Sequence, residues 1–408
     1  MKTILLIGTF DTKLDELAFM QQCLEGQGAR VITMDVGVLS KSRIKTDVSN
    51  DDVAAAADST IQEIAALGDE NYAMAKMAAG ASALAVKLRS ESRLDGMIAL
   101  GGSMGTDLAL DVAGVLPAGV PKFVVSTIAF SHLLPPDRIP ADVMMILWSG
   151  GLYGLNSLCK AALSQACGAV VGAAHAVVTP HTNRPMVAMT SLGKSCLSYM
   201  VNLKPALEDR GFEVAVFHST GMGGRAYADL ASKKKFALCL DLCLQEVSNA
   251  LGGSVVTAGQ GRLRAAGDAG IPQIVAPGAV DMVDFEAWKS LPAKFEGRPY
   301  HAHNRLIASV TTSGEDRRAL ARHVAKELAT AKAPVTLILP NKGIQQWDKE
   351  GEPLHDPDGL SAFLDEARKV VRPPVKLTEI SAHINDQAFV DAVLRQVDEW
   401  LASGVVKV

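Results

Sequence analysis

The stretch Thr3-Ile4-Leu5-Leu6-Ile7-Gly8-Thr9-Phe10-Asp11-Thr12-Lys13 decides the fold. Its first five residues are an apolar run without polar alternation, the pattern of a strand whose sheet is covered on both faces. A glycine ends the run, polar residues form a loop, and Leu14 to Gly26 then carries helical spacing. Strand, glycine-bearing loop and helix in that order make the first half of a βαβ unit, so a parallel α/β sheet is expected.

The unit recurs. Residues 30–34, 96–100 and 122–126 read as further strands, and residues 51–67 and 70–93 as two helices. The turn-rich stretch Thr179-Pro180-His181-Thr182-Asn183-Arg184-Pro185 interrupts the pattern, as a domain boundary would. Strands then resume at residues 186–189, 213–217, 236–240, 273–276 and 335–339, with helices at 197–209 and 385–401. The expected architecture is two doubly wound, Rossmann-like α/β domains with mainly parallel sheets. Residues 1–180 form a nucleotide-binding-like domain and residues 181–408 a second one, the halves being distant structural duplicates.

Composition agrees with this reading. The chain has 408 residues, 48% hydrophobic and 5% aromatic, with 35 glycines. That length exceeds the ~100–200 residues of one ordinary domain. The apolar share excludes a disordered chain, and glycines without a period of three exclude collagen. A net charge of -4 gives no general attraction to nucleic acid or an anionic membrane. Lys233-Lys234-Lys235 reads as a solvated helix end. Six cysteines show no disulfide or zinc spacing, so reduced thiols in a cytoplasmic protein are expected. The apolar run at residues 4–7 is shorter than a signal-peptide core of roughly 7–15 residues. The uncharged stretch 161–179 reads as a buried helix, and no membrane partner is expected.

In open parallel sheets, ligands sit beyond the carboxyl ends of the strands. Loop Gly8-Thr9-Phe10-Asp11-Thr12-Lys13 offers backbone amides, hydroxyls and a cation for an anion, although it lacks P-loop spacing. The alternative is Asp11 as a helix cap with Lys13 in solvent. Loop Gly101-Gly102-Ser103-Met104-Gly105-Thr106 is a second amide-rich phosphate candidate, with Ser126 and Thr127 at the next strand end. Asp35 ends the second strand, where an acid meets a ribose in dinucleotide folds, or caps a turn. In the second half, His218-Ser219-Thr220-Gly221-Met222-Gly223-Gly224-Arg225 is another anion candidate, with Arg225 suited to bidentate contact. Ser191 and Lys194 on the adjacent strand end would line the same substrate cleft, and residues 259–262 with Asp281 are placed near it. His218, Asp281, His303 and His383 are the candidate acid–base residues. Hydrogen-bonding and capping roles are the alternative for the late histidines. No metal site is expected.

Several motifs together resemble one family. They are Gly-Thr-x-Asp-Thr-Lys at 8–13, Gly-Gly-Ser-x-Gly-Thr at 101–106 and Phe217-His218-Ser219-Thr220-Gly221-Met222-Gly223-Gly224. Pro277-Gly278-Ala279-Val280-Asp281-Met282, His303-Asn304 and His383-Ile384-Asn385-Asp386 complete the set. In this order they are similar to the ATP-binding inhibitor domain of the tomato mosaic virus resistance protein and its bacterial and fungal relatives. The resemblance implies two α/β domains, ATP bound to the first of them, a homodimer, and a TIM-barrel partner resembling phosphoenolpyruvate-mutase enzymes. The expected function is an ATP-binding enzyme acting on a small anionic metabolite in the second domain. The alternatives are a nucleotide-responsive regulator of the TIM-barrel partner and a metabolite enzyme that needs no nucleotide.

Overall fold

A computed structural model describes residues 1–148, 150–178, 180 and 183–408. Thr179, His181 and Thr182 of the expected domain boundary lie outside the described residues. The chain divides into two compact units, Met1–His181 and Thr182–Val408.

The N-terminal unit runs β1 (Thr3–Gly8), α1 (Leu14–Gly26), β2 (Arg30–Asp35), α2 (Asn50–Ala55), α3 (Ile61–Ala65), α4 (Glu70–Ser90), β3 (Gly96–Gly101), α5 (Ser103–Val115), β4 (Lys122–Ser126), β5 (Val143–Leu147) and α6 (Ser157–Ala176). Its five strands are parallel in the order β2-β1-β3-β4-β5. Successive residues of β1 face opposite layers. Ile4 and Leu6 pack with α1 and α6, while Leu5 and Ile7 pack with α2, α4 and α5. This two-sided burial explains the apolar run.

Two details depart from the sequence reading. The single helix expected over 51–67 is two short ones, because Ser49 and Thr60 each start a helix. Each hydroxyl accepts the amide three residues on, from Asp52 and Glu63 respectively. Strand β5, an apolar run at the sheet edge, was not anticipated. Helix α6 is, among the described residues, the one helix long and apolar enough to cross a membrane by length and composition. Its Cys159, Leu163, Cys167 and Val170 are buried in the layer shared with α1.

The C-terminal unit runs β6 (Met186–Ser191), α7 (Met200–Glu208), β7 (Glu213–His218), α8 (Met222–Ser232), β8 (Leu238–Cys243), α9 (Gln245–Gly252), α10 (Ala265–Ala269), β9 (Gln273–Gly278), β10 (Met282–Glu286), β11 (Tyr300–Ala302) and β12 (Ile307–Thr311). It ends with α11 (Gly314–Leu328), β13 (Val335–Pro340), α12 (Pro357–Val370), β14 (Val375–Ile380) and α13 (Gln387–Ala402). Six parallel strands form the order β14-β13-β9-β8-β6-β7. Read from β7, its strands come second, first, third, fourth, fifth and sixth in chain order. The N-terminal sheet has the same order without the sixth strand, so both units are Rossmann-like. A small antiparallel sheet, β10-β12-β11, is the addition that the sequence reading lacked. It packs Val283, Phe285 and Val310 on Phe295.

Helix α4 lies so close to α2 that a Cβ on Gly80 would sit 2.0 Å from the Val53 carbonyl oxygen. Gly80→Ala is expected to lower the unfolding free energy by about 1–3 kcal/mol in urea titration. Gly172→Ala in α6, where a Cβ meets nothing within 4 Å, should be neutral or stabilising.

Candidate functional site

In the N-terminal unit, β1 leads into α1 on one face of the sheet and β3 leads into α5 on the other. The two loops therefore part above neighbouring strand ends, which is the switch point where such sheets bind ligands. A cleft of about 650 Å³ opens there. Thr9, Asp11, Thr12 and Lys13 line it from the β1 loop, and Gly101, Gly102, Ser103 and Gly105 from the β3 loop. Val38, Leu39, Ile64, Ala73 and Met74 form its apolar wall. Helix α5 starts at Ser103 after Gly102 without a side-chain cap, so its first amides remain available to an anion. The Lys13 ammonium donates to the Thr12 hydroxyl at 3.3 Å, and the Thr9 and Thr12 hydroxyls are 2.8 Å apart. A cation, two hydroxyls and a glycine-rich helix start thus line one cleft.

Most other expected residues of this group lie behind the cleft and support it, while Asp11 lines it. Asp35 is buried, and its Oδ1 accepts the amides of Phe10 at 3.1 Å and Gly37 at 2.9 Å. It holds the β1 loop rather than lining the cleft, which corrects the ribose-binding expectation. Burial raises its pKa, against the lowering effect of those two amides. Thr106 and Ser126 are buried and bonded to each other at 2.7 Å. The Thr127 amide donates to Gly101 at 3.3 Å, and Gly8 accepts the Val36 amide at 3.0 Å. Asp11 does not cap α1. Its Oδ2 instead accepts the amides of Leu39 and Ser40, tying the β1 loop to the β2 loop.

The C-terminal unit has a smaller cavity, about 190 Å³, beyond the carboxyl ends of β6, β7 and β8. Ser195, His218, Thr220, Gln245, Asp284, His303 and Ser309 supply its polar groups, beside Leu192, Met282 and Trp347. Its buried carboxylate is Asp284, whose Oδ1 accepts the Ser309 hydroxyl at 2.5 Å and the Gln245 amide at 2.8 Å. Burial raises the Asp284 pKa, while partial burial and then the nearby His303 lower that of His218. A carboxyl pushed up and an imidazole pushed down in one cavity is an arrangement suited to proton transfer. Asp284, Gln245 and Ser309 were missed in the sequence. Asp284 alternates with Val283 and Phe285, and that alternation was the available signal of a polar face. Lys194 is exposed beside Ser195, and no Lys or Arg lines this cavity among the described residues.

The glycine loop after β7 is already filled. The amides of Gly221 and Gly224 donate to Glu246 Oε1, at 2.5 and 3.1 Å. Glu246 is buried and pairs with Arg262, which also pairs with Asp241 and lies 5.0 Å from the Tyr227 ring centre. The anion expected there is thus the protein's own carboxylate. Ser219 is buried, and Gly223 packs on the His218 backbone. Arg225 lies along α8, 3.9 Å from Asp229. Ser191 is buried too, donating to the Leu197 carbonyl at 2.9 Å and accepting the Gly193 amide at 3.2 Å.

The expected acid–base quartet divides. His218 and His303 reach the cavity, whereas Asp281 and His383 meet at Gln345 behind it. Asp281 Oδ2 accepts the Gln345 side-chain amide at 2.9 Å, and burial raises the Asp281 pKa. His383 Nδ1 accepts the Asn385 amide, so its Nε2–H donates to the Gln345 carbonyl at 3.0 Å. Among the described residues, no group of three or more His, Cys, Asp or Glu side chains is placed to hold a metal ion.

Two consequences can be measured. Arg262→Ala leaves two buried carboxylates unpaired and is expected to cost about 3–5 kcal/mol of stability in denaturant unfolding. Burial lowers the His383 pKa below its ordinary value. The unfolded chain then binds the extra proton as pH falls through about 6.5, so stability is lost on acidification. His383→Gln should remove that part of the loss between about pH 7 and pH 5 when unfolding is followed at each pH.

Comparison with known proteins follows the division into two units. Residues 2–179 match the N-terminal domain, and residues 184–401 the C-terminal domain, of an uncharacterised protein family, UPF0261. A UPF0261 protein of Brucella melitensis is 57% identical over 403 residues, covering 99% of this chain and 96% of the relative. One of Clostridium tetani is 33% identical over 399 residues, covering 97% and 98%. The ToMV susceptible protein tm-1(GCR26) of Solanum lycopersicum is 30% identical over 424 residues, which is 97% of this chain and 55% of that protein. The chain belongs to the UPF0261 family.

Proposed function

We propose that the protein is an ATP-binding enzyme of small-molecule metabolism, with the nucleotide in the N-terminal cleft and a small polar substrate in the C-terminal cavity. One observation carries the nucleotide reading: Lys13, the Thr9 and Thr12 hydroxyls and the uncapped start of α5 line one cleft at the β1/β3 switch point. These groups suit a polyphosphate, which needs a cation and free amides. The apolar wall of Val38, Ile64 and Met74 suits a base, and about 650 Å³ is ample for a nucleotide.

The cavity of about 190 Å³ is too small for a nucleotide and fits a metabolite of a few carbons. Asp284, Ser309, Gln245 and Thr220 would hold its hydroxyl or carbonyl groups. His218 and His303 would move protons, and Lys194 at the exposed edge would meet a carboxylate. Titration calorimetry with ATP tests the nucleotide half. Wild type is expected to bind, and Lys13→Ala to bind roughly tenfold or more weakly, since a charged hydrogen bond contributes about 1.5–3 kcal/mol. No heat of binding to the folded wild type at millimolar ATP would sink the reading.

A further inference from the structure

The cavity of the C-terminal unit is lined by a buried carboxylate that pairs with no Lys or Arg among the described residues. Strand β10 alternates, so Val283 and Phe285 pack on Phe295 while Met282 and Asp284 line the cavity. Pairing with β12 sets Asp284 opposite Ser309, and the start of α9 brings up Gln245. Both donate to Asp284 Oδ1, and the 2.5 Å bond from the Ser309 hydroxyl has the length expected at an ionised carboxylate. Asn249, one turn along α9, is already committed. Its Oδ1 accepts the Asp284 backbone amide, and its own amide donates to Val256. Asp284 Oδ2 accepts no hydrogen bond from the described residues, and unlike Asp281 Oδ1 it keeps some accessible surface.

Buried charges are normally paired, because an unpaired one loses its hydration without return. Asp229, Asp241 and Glu246 of the same unit follow this rule, through Lys233 and Arg262. Asp284 is buried to a similar degree and forms no ion pair among the described residues. Burial raises its pKa, and its hydrogen bonds and the nearby His303 act against this. A cation in the cavity would act in the same direction. Trp347 lines the cavity as well, and indole is the aromatic ring most favourable to a cation. We propose that the substrate of the C-terminal cavity is a small primary amine whose ammonium is held on Asp284 Oδ2. The volume of about 190 Å³ limits it to a few carbons. The inference rests on the reading of this cavity as the substrate site and narrows it. The charged group falls to Asp284, and the remaining polar lining takes any hydroxyl or carbonyl.

The test titrates ethanolamine hydrochloride, ethylene glycol and sodium glycolate into the isotopically labelled full chain, near neutral pH and at constant ionic strength. The indole N–H resonance of Trp347, assigned with Trp347→Phe, reports occupancy of the cavity. In wild type, ethanolamine should bind roughly tenfold or more tightly than either of the other probes. Asp284→Asn keeps a carbonyl oxygen for Ser309 and Gln245 and places an NH2 donor where Oδ2 was. In that variant, shown to be folded by its unfolding curve, the preference should collapse to about one. If it does not fold, the preference in wild type decides alone. Equal or tighter binding of ethylene glycol or glycolate to wild type would overturn the proposal while leaving the cavity as a substrate site. Unchanged ethanolamine binding in folded Asp284→Asn would overturn it too. No shift from any probe at high millimolar concentration would overturn it, withdraw support for the cavity as a substrate site, and leave His303 as the counter-ion of Asp284.

Discussion

Strand β1 is hydrogen-bonded on both sides to parallel partners, β2 and β3, and its side chains are buried in both layers. Every feature of the N-terminal cleft follows from that constraint. Parallel pairing sets the carboxyl ends of the three strands side by side, and the following helices cover opposite faces. The loops must then separate above β1 and β3, with the glycine turn lining the gap. This topology sets Lys13, the two threonines and the start of α5 around one cleft.

The C-terminal unit repeats the strand order but uses its switch point differently. After β3 the chain runs Gly101-Gly102-Ser103, whereas after β8 it runs Leu244-Gln245-Glu246 into α9. Where the first unit offers free amides, the second supplies side chains. Glu246 turns back into the glycine loop after β7, and Arg262 neutralises it. Gln245 turns towards the cavity and fixes Asp284. One topology has thus produced a cleft suited to anions and a smaller, mostly uncharged cavity suited to proton transfer.

The fold was legible because it depends on local pattern. Unalternated apolar runs such as Thr3–Gly8 can be read one strand at a time, and both parallel sheets came from them. The antiparallel β10–β12 sheet was not, since its short strands carry mixed polarity with Asp284 and Ser309 on inner positions. Site residues divided in the same way. The place of Lys13 and the Gly101 turn in the cleft was legible because it follows from the strand just before each. Asp35, Ser126 and Asp281 have suitable chemistry at suitable positions, yet their partners lie on other elements and remove them from the clefts. Glu246 and Arg262 were unreadable as a pair, because only the fold joins a helix start to a loop sixteen residues on.

The proposed nucleotide site is the β1/β3 switch point. Amide hydrogen exchange with and without saturating ATP tests it directly, because exchange reports each loop separately. The account predicts slowed exchange at residues 9–13, 36–40 and 101–106, with residues 218–225 unchanged. Slowing at 218–225, or none in the three N-terminal loops, would contradict it.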